Sequence, residues 1–359
     1  MKISKLMLAG LASVLSVAVA AGAQTGTTGT AGAQTGATAP KAAAPAPAQK
    51  ATTPAPLKLN DLGQMSRPDP FPPVNPKYFT AATPTVDTVN SFLKALWGYD
   101  SNRIWRVEAI QKTEAPGVSK VVVFVSDKTA NAKVQSSAFF VTPDGNHAIA
   151  GDGVIPFGAN PFAEIRKTLE TRADGAARGA AGKDFLMVEF ADLQCPHCKE
   201  AQSTIDQLMK DFPNARFVFQ SFPLTQHPFA FKAAAYGYCI EKQKNDAFFP
   251  YAAAVFDTQD ALTAETGDAT LKNAVTKAGL DPAAIDACAA TQATKDEVNN
   301  SIKLAEEIGV NETPMLAVNG HLLPIGNTKL SYETLKKIVA YQAQMDGVNP
   351  GTPTASAAK

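Results

Sequence analysis

The sequence predicts an α/β chain: a large domain on a central sheet that carries a helical insertion, preceded by a small α+β domain. Three observations lead there. The apolar run Leu186-Met187-Val188-Glu189-Phe190-Ala191 passes through a short loop into Cys195-Pro196-His197-Cys198, where a helix opens. Thr313-Pro314 stands directly before another short apolar run, which ends at the turn Asn319-Gly320. Ahead of both lies a separate set of strands and one amphipathic helix, punctuated by turn residues.

The 359 residues suggest two domains, and 45% hydrophobic content suits a globular core. At the amino terminus, Lys2 and Lys5 precede an apolar stretch from Leu6 to Ala20, and Ala21-Gly22-Ala23 fits a small-residue cleavage site. This is the pattern of a signal peptide over 1–23, and it predicts a periplasmic or secreted protein. Cleavage leaves 31 of the 33 basic residues against 33 acidic ones, a net of about −2 with no footprint for nucleic acid. Residues 24–79 read as an Ala/Gly/Thr/Pro-rich tether followed by an extended segment, with Ala-Gly-Ala-Gln-Thr-Gly at 21–26 repeated at 31–36.

The small α+β domain is expected over 80–173. Val86, Val89, Phe92, Leu93, Leu96 and Trp97 share a helical stripe, strands follow at 104–110 and 120–126, and a hairpin is expected around Thr142-Pro143-Asp144-Gly145. A helix from 161 to 172 leads into Ala/Gly-rich residues 174–182, read as a hinge. The second domain is expected over 183–346, with strands at 185–191 and 217–222, a helical section at 228–309, a hairpin at 315–325 and a last helix from Ser331. The tail 347–359 reads as unstructured.

Two cysteines at i and i+3 on a first helical turn face one side and can form or break a disulfide. Exchange needs a thiolate. A helix amino terminus offers unpaired N–H groups and a positive dipole end to the Cys195 sulfur. Pro196 suits the first turn, His197 adds a donor or partial charge, and Cys198 is the expected buried resolving thiol. Glu189, an acid in an apolar strand, either relays a proton for Cys198 or sits at an exposed strand edge; alternation does not say which face it takes. Thr313-Pro314 is either an ordinary trans turn or a cis bond that offers the Thr313 backbone to an extended substrate.

The block from Val188 to Lys199, the segment Phe217–Leu224 with His227-Pro228, and Gly309–Pro314 with Val318-Asn319-Gly320 together resemble the DsbA-like branch of thioredoxin-fold thiol:disulfide oxidoreductases. The resemblance implies Cys195 as nucleophile, Cys198 as resolving cysteine, Glu189 as proton-relay acid, Pro314 as cis proline and a thioredoxin fold with a helical insertion. It further implies a structural disulfide between Cys239 and Cys288, no cofactor, secreted proteins in extended or unfolded form as substrates, and a redox partner protein that regenerates the disulfide. The first domain is weakly similar to the dimerisation domain of DsbC-like isomerases, which implies a homodimer and isomerase or reductase activity as the alternative.

Zinc lacks support: Cys239 and Cys288 stand 49 residues apart, and only His147, His197, His227 and His321 are available. A copper module built on Cys195, Cys198 and His197 is the rival, since thiolates bind Cu(I). His227 reads as a helix-start residue, His321 as a solvent-facing hairpin residue, and Trp97 and Trp105 as core or interface aromatics.

Overall fold

A computed structural model describes residues 69–351 apart from 130, 152 and 327–329. The expected signal peptide, the tether up to residue 68 and the tail beyond residue 351 lie outside the described residues. Among the described residues, 74–150 and 154–351 form one compact unit. Of the remainder, Phe71 donates its N–H to Asp69 Oδ1 at 2.9 Å.

The first part opens with α1 (Val86–Trp97), capped where Thr85 Oγ1 accepts the Thr88 N–H. Five strands follow: β1 (Arg103–Lys112), β2 (Ser119–Asp127), β3 (Gln135–Val141), β4 (His147–Ala150) and β5 (Gly153–Pro156). They lie side by side in chain order, with β1 to β4 antiparallel. Alternation decides what is buried: Val121, Val123 and Val125 of β2 turn inward beneath Val89, Phe92 and Leu93 of α1. The β3–β4 turn is set by Asp144, whose Oδ1 accepts from the Thr142 hydroxyl and the Asn146 N–H, and by Gly145 at φ +69°.

The second part begins with α2 (Ala163–Arg172), β6 (Ala176–Gly179), β7 (Leu186–Ala191), α3 (Pro196–Asp211) and β8 (Arg216–Ser221). Five helices interrupt the sheet: α4 (Ala230–Gln243), α5 (Phe248–Asp257), α6 (Gly267–Lys277), α7 (Pro282–Ala289) and α8 (Gln292–Glu307). The hairpin β9 (Met315–Val318) and β10 (His321–Pro324), then α9 (Tyr332–Met345), complete it. The strand order is β10-β9-β7-β8-β6, with β7 and β8 parallel and the other pairs antiparallel. Every residue of the central strand β7 is buried. One face, with Met187, Phe217, Phe219, Leu316 and Val318, packs on α3, α9 and the insertion; the other, with Leu186, Val188, Phe190 and Val218, packs on Leu169 of α2 and Leu304 of α8.

The expected hinge is corrected. Residues 174–182 contain β6, paired with β8 from Ala176↔Phe219 to Gly179↔Arg216. Their small size serves close approach: a Cβ on Gly175 would meet Phe219 O at 2.1 Å, and one on Gly179, at φ +85°, would meet Ala215 O at 2.3 Å. The two parts also touch, because Tyr341 Oη of α9 donates to Lys94 O of α1 at 2.9 Å.

Candidate active site

The β7–α3 connection builds the site. Cys195 is the N-cap of α3 with extended backbone (φ −78°, ψ 121°), and Pro196 occupies the first helical turn, where no intrahelical N–H is needed. Cys195 is 5% exposed and Cys198 fully buried; both are free thiols. The loop is held from outside the sheet. Gln259, after α5, donates its side-chain N–H groups to Leu193 O at 2.9 Å and Cys195 O at 3.0 Å. Gln194 donates to Leu262 O and accepts the Phe229 N–H.

The two sulfurs have opposite acidities. As a thiol, Cys195 donates to Thr313 O at 3.8 Å and makes no cap bond. As a thiolate it is the acceptor that an N-cap requires. The Cys198 thiol donates to it first, and the Thr313 hydroxyl and the backbone N–H groups of Cys198 and His197 add to this; together they outweigh burial and draw its pKa down to about 5. With Cys195 as a thiol, the Thr313 hydroxyl is buried and has no hydrogen-bond partner among the described residues. Burial pushes the Cys198 thiol far up, and the hydrogen bond to Cys195 holds its proton further. A single proton thus binds both sulfurs, so their titration belongs to the pair.

Thr313-Pro314 is a cis peptide. It sits against the Cys195–Cys198 turn, since a Cβ on Gly326 would meet Pro314 Cδ at 2.8 Å and His197 Cβ at 3.7 Å. Glu189 is fully buried on the face of β7 that carries Met187 and Ala191, toward α3. Its Oε1 accepts from Gln202 Nε2 at 3.0 Å, and Oε2 has no partner among the described residues. Burial raises its pKa to about 8, against the pull of Gln202 and Arg178. Gln202 also donates to Cys198 O at 3.1 Å, which links the acid to the helix turn of the inner cysteine.

Cys195, Cys198, Glu189, Thr313 and Pro314 therefore meet around one turn. His197 is half-exposed and pairs with Glu200 at 3.1 Å on the outer side. Cys239 and Cys288 are joined by a disulfide that ties α4 to α7. His321 departs from its expected solvent-facing role: it is only partly exposed and stacks flat on Phe162 with ring centroids 4.1 Å apart, because α2 covers the hairpin. Sequence reasoning missed Gln202, Gln259 and Asp192. Asp192 is buried beside the inner cysteine, and an acid at a strand end just before a helix start was the available signal. No group of three or more metal-ligating side chains is assembled among the described residues.

Residues 173–340 match the thioredoxin family model, and with the strand order above this part of the chain has the thioredoxin fold with a helical insertion. Among curated proteins, the chain is 32% identical over 147 residues to Na(+)/H(+) antiporter NhaA 1 of Mycolicibacterium vanbaalenii, covering 40% of this chain and 23% of that protein. It is 26% identical over 173 residues to NhaA 3 of Salinispora tropica, covering 47% of this chain and 26% of that protein. The chain thus spans about a quarter of the length of these relatives, and no helix among the described residues is long and apolar enough to cross a membrane. Similar solved structures include Proteus mirabilis ScsC (19% identical, 51% of this chain and 79% of that one, TM-score 0.43). Another is the thiol-disulfide exchange protein α-DsbA2 of Wolbachia pipientis (22% identical, 49% and 94%, TM-score 0.42).

Proposed function

We propose that the chain is an exported thiol:disulfide oxidoreductase that passes a Cys195–Cys198 disulfide to folding proteins through a mixed disulfide on Cys195. One observation carries this: a cap-position sulfur whose pKa falls to about 5 lies beside an inner sulfur whose pKa is driven upward. Stabilising the Cys195 thiolate favours the reduced pair, so the disulfide is a good oxidant.

In the forward step a substrate thiolate attacks Cys195 Sγ. The Cys195–Cys198 bond breaks, its electron pair stays on Cys198 Sγ, and a mixed disulfide remains at Cys195. Glu189, protonated below about pH 8, supplies the proton that the buried Cys198 sulfur then needs. A second substrate thiolate attacks the first substrate's sulfur, forming the substrate disulfide and releasing the Cys195 thiolate. Extended substrate backbone would pair at Thr313, beside a cavity of about 190 Å³ between α3 and α9 lined by His197, Ala201, Ile325 and Leu335. A partner protein would then reoxidise the pair. Export is supported by the amino-terminal sequence pattern and by the Cys239–Cys288 disulfide, which suits an oxidising compartment.

Cys195→Ala is expected to abolish exchange with a dithiol substrate, and Cys198→Ala to accumulate mixed disulfides visible on a non-reducing gel. Full activity in Cys195→Ala would refute the assignment. Equilibration with a glutathione series gives the potential of the pair and separates an oxidase from an isomerase or reductase.

A further inference from the structure

Two acids flank the inner sulfur, and proton transfer accounts for only Glu189. The other, Asp192, is 1% exposed and follows β7 directly. Three donors converge on its carboxylate. The Gln194 N–H reaches Oδ1 at 2.7 Å, while the Leu224 N–H at 2.9 Å and His227 Nδ1 at 2.7 Å reach Oδ2. Its main chain meets both cysteines: the Asp192 N–H donates to Cys198 Sγ at 3.4 Å, and Asp192 O accepts the Cys195 N–H at 3.0 Å. The peptide that carries the first of these N–H groups is braced on its other side, where Ala191 O accepts the Phe222 N–H at 2.8 Å. The segment after β8 therefore grips this peptide and the Asp192 side chain together, and His227 closes the grip.

We propose that Asp192 and His227 are a positioning pair for the exchange reaction: by pinning the Asp192 carboxylate, His227 holds the backbone N–H that receives the charge developing on Cys198. This rests on the exchange function proposed above. When a thiolate attacks Cys195 Sγ, the leaving electron pair arrives on a sulfur that is 0% exposed and unsolvated. A donor already aimed at that sulfur stabilises the charge without reorganising. The same N–H opposes the upward push that burial gives the Cys198 thiol. His227 touches neither sulfur in this scheme; its side chain is 22% exposed and acts only through Asp192.

The test separates Cys198 from Cys195. Oxidised protein is mixed with excess glutathione and the opening of the Cys195–Cys198 bond is followed by rapid quench. His227→Leu is expected to slow opening roughly tenfold, the scale of one aligned hydrogen bond to a charged group. His227→Gln, which keeps a donor, is expected to restore most of the rate, and Asp192→Asn to slow it as His227→Leu does. In a Cys198→Ser background, attack of the Cys195 thiolate on a small aromatic disulfide is expected to run at one rate with or without His227→Leu. Unchanged opening in His227→Leu, or equal slowing in both backgrounds, would overturn the pair. Wild-type protein that fails to react with glutathione at all is a separate result, and it removes the exchange function on which the pair depends.

Discussion

Two cysteine pairs share one fold in opposite surroundings. Cys195 and Cys198 lie one helical turn apart at the start of α3, among main-chain donors, the Thr313 hydroxyl and a buried acid. Cys239 and Cys288 are 49 residues apart and tie α4 to α7, and the polar group within reach of both sulfurs is the Thr294 hydroxyl, at 3.6 and 3.7 Å. The first pair has groups that tell one sulfur from the other. In the second, one hydroxyl lies against both sulfurs, although Cys239 is buried and Cys288 only partly so. Under the exchange function proposed above, polar groups that tell one sulfur from the other, more than proximity of sulfurs, divide the reactive pair from the structural one.

The sharpest break of this contrast removes the structural pair. Cys239→Ala with Cys288→Ala is expected to lower stability by about 2–4 kcal/mol in urea unfolding, from the loop released in the unfolded chain. Native-state exchange should stay within about twofold of wild type, since sites that share no partners act nearly independently. Exchange lost as completely as in Cys195→Ala would erase the distinction.

Glu189 gives the next effect. Its pKa is raised from 4.5 to about 8 by burial, so its contribution is fully present below about pH 4.5 and is lost as pH rises through 8. Glu189→Gln should remove that slope and stabilise the protein by about 1–3 kcal/mol at pH 8 while slowing release of Cys198. Denaturant midpoints at pH 5 and pH 8 measure the first, and quenched exchange the second. Cys195 has the opposite sign. Its pKa is lowered from 9.0 to about 5, so it stabilises the reduced form most above pH 9, and the gain fades as pH falls toward 5. Melting of the reduced and oxidised proteins should differ at pH 8 and converge below pH 5. The last expected effect is on stability alone: Gly175→Ala should cost about 1–3 kcal/mol, because the backbone of Phe219 leaves no room for a methyl group.

How much of this was legible follows from how far each constraint reaches along the chain. The redox turn was legible because its requirements are local: a strand, a cap position, a proline at N1 and a cysteine one turn on. The Thr313-Pro314 site was legible as a place, though only the fold decides between cis and trans. The face taken by Glu189 was hidden because β7 is buried on both sides and its sequence carries no alternation. Strand β6 was hidden because Ala and Gly signal looseness in isolation, whereas here they let two backbones approach. The Asp192–His227 contact spans 35 residues, and no local pattern announces it.

The grip of Gln259 on the carbonyls of Leu193 and Cys195 changes what the five inserted helices are for. Transplanting the four-residue redox motif onto a bare sheet would bring the sulfurs but leave behind the amide that steadies their loop. The insertion thus steadies the loop that carries Cys195, and under the exchange function proposed above shortening it should blunt the chemistry even where every strand survives.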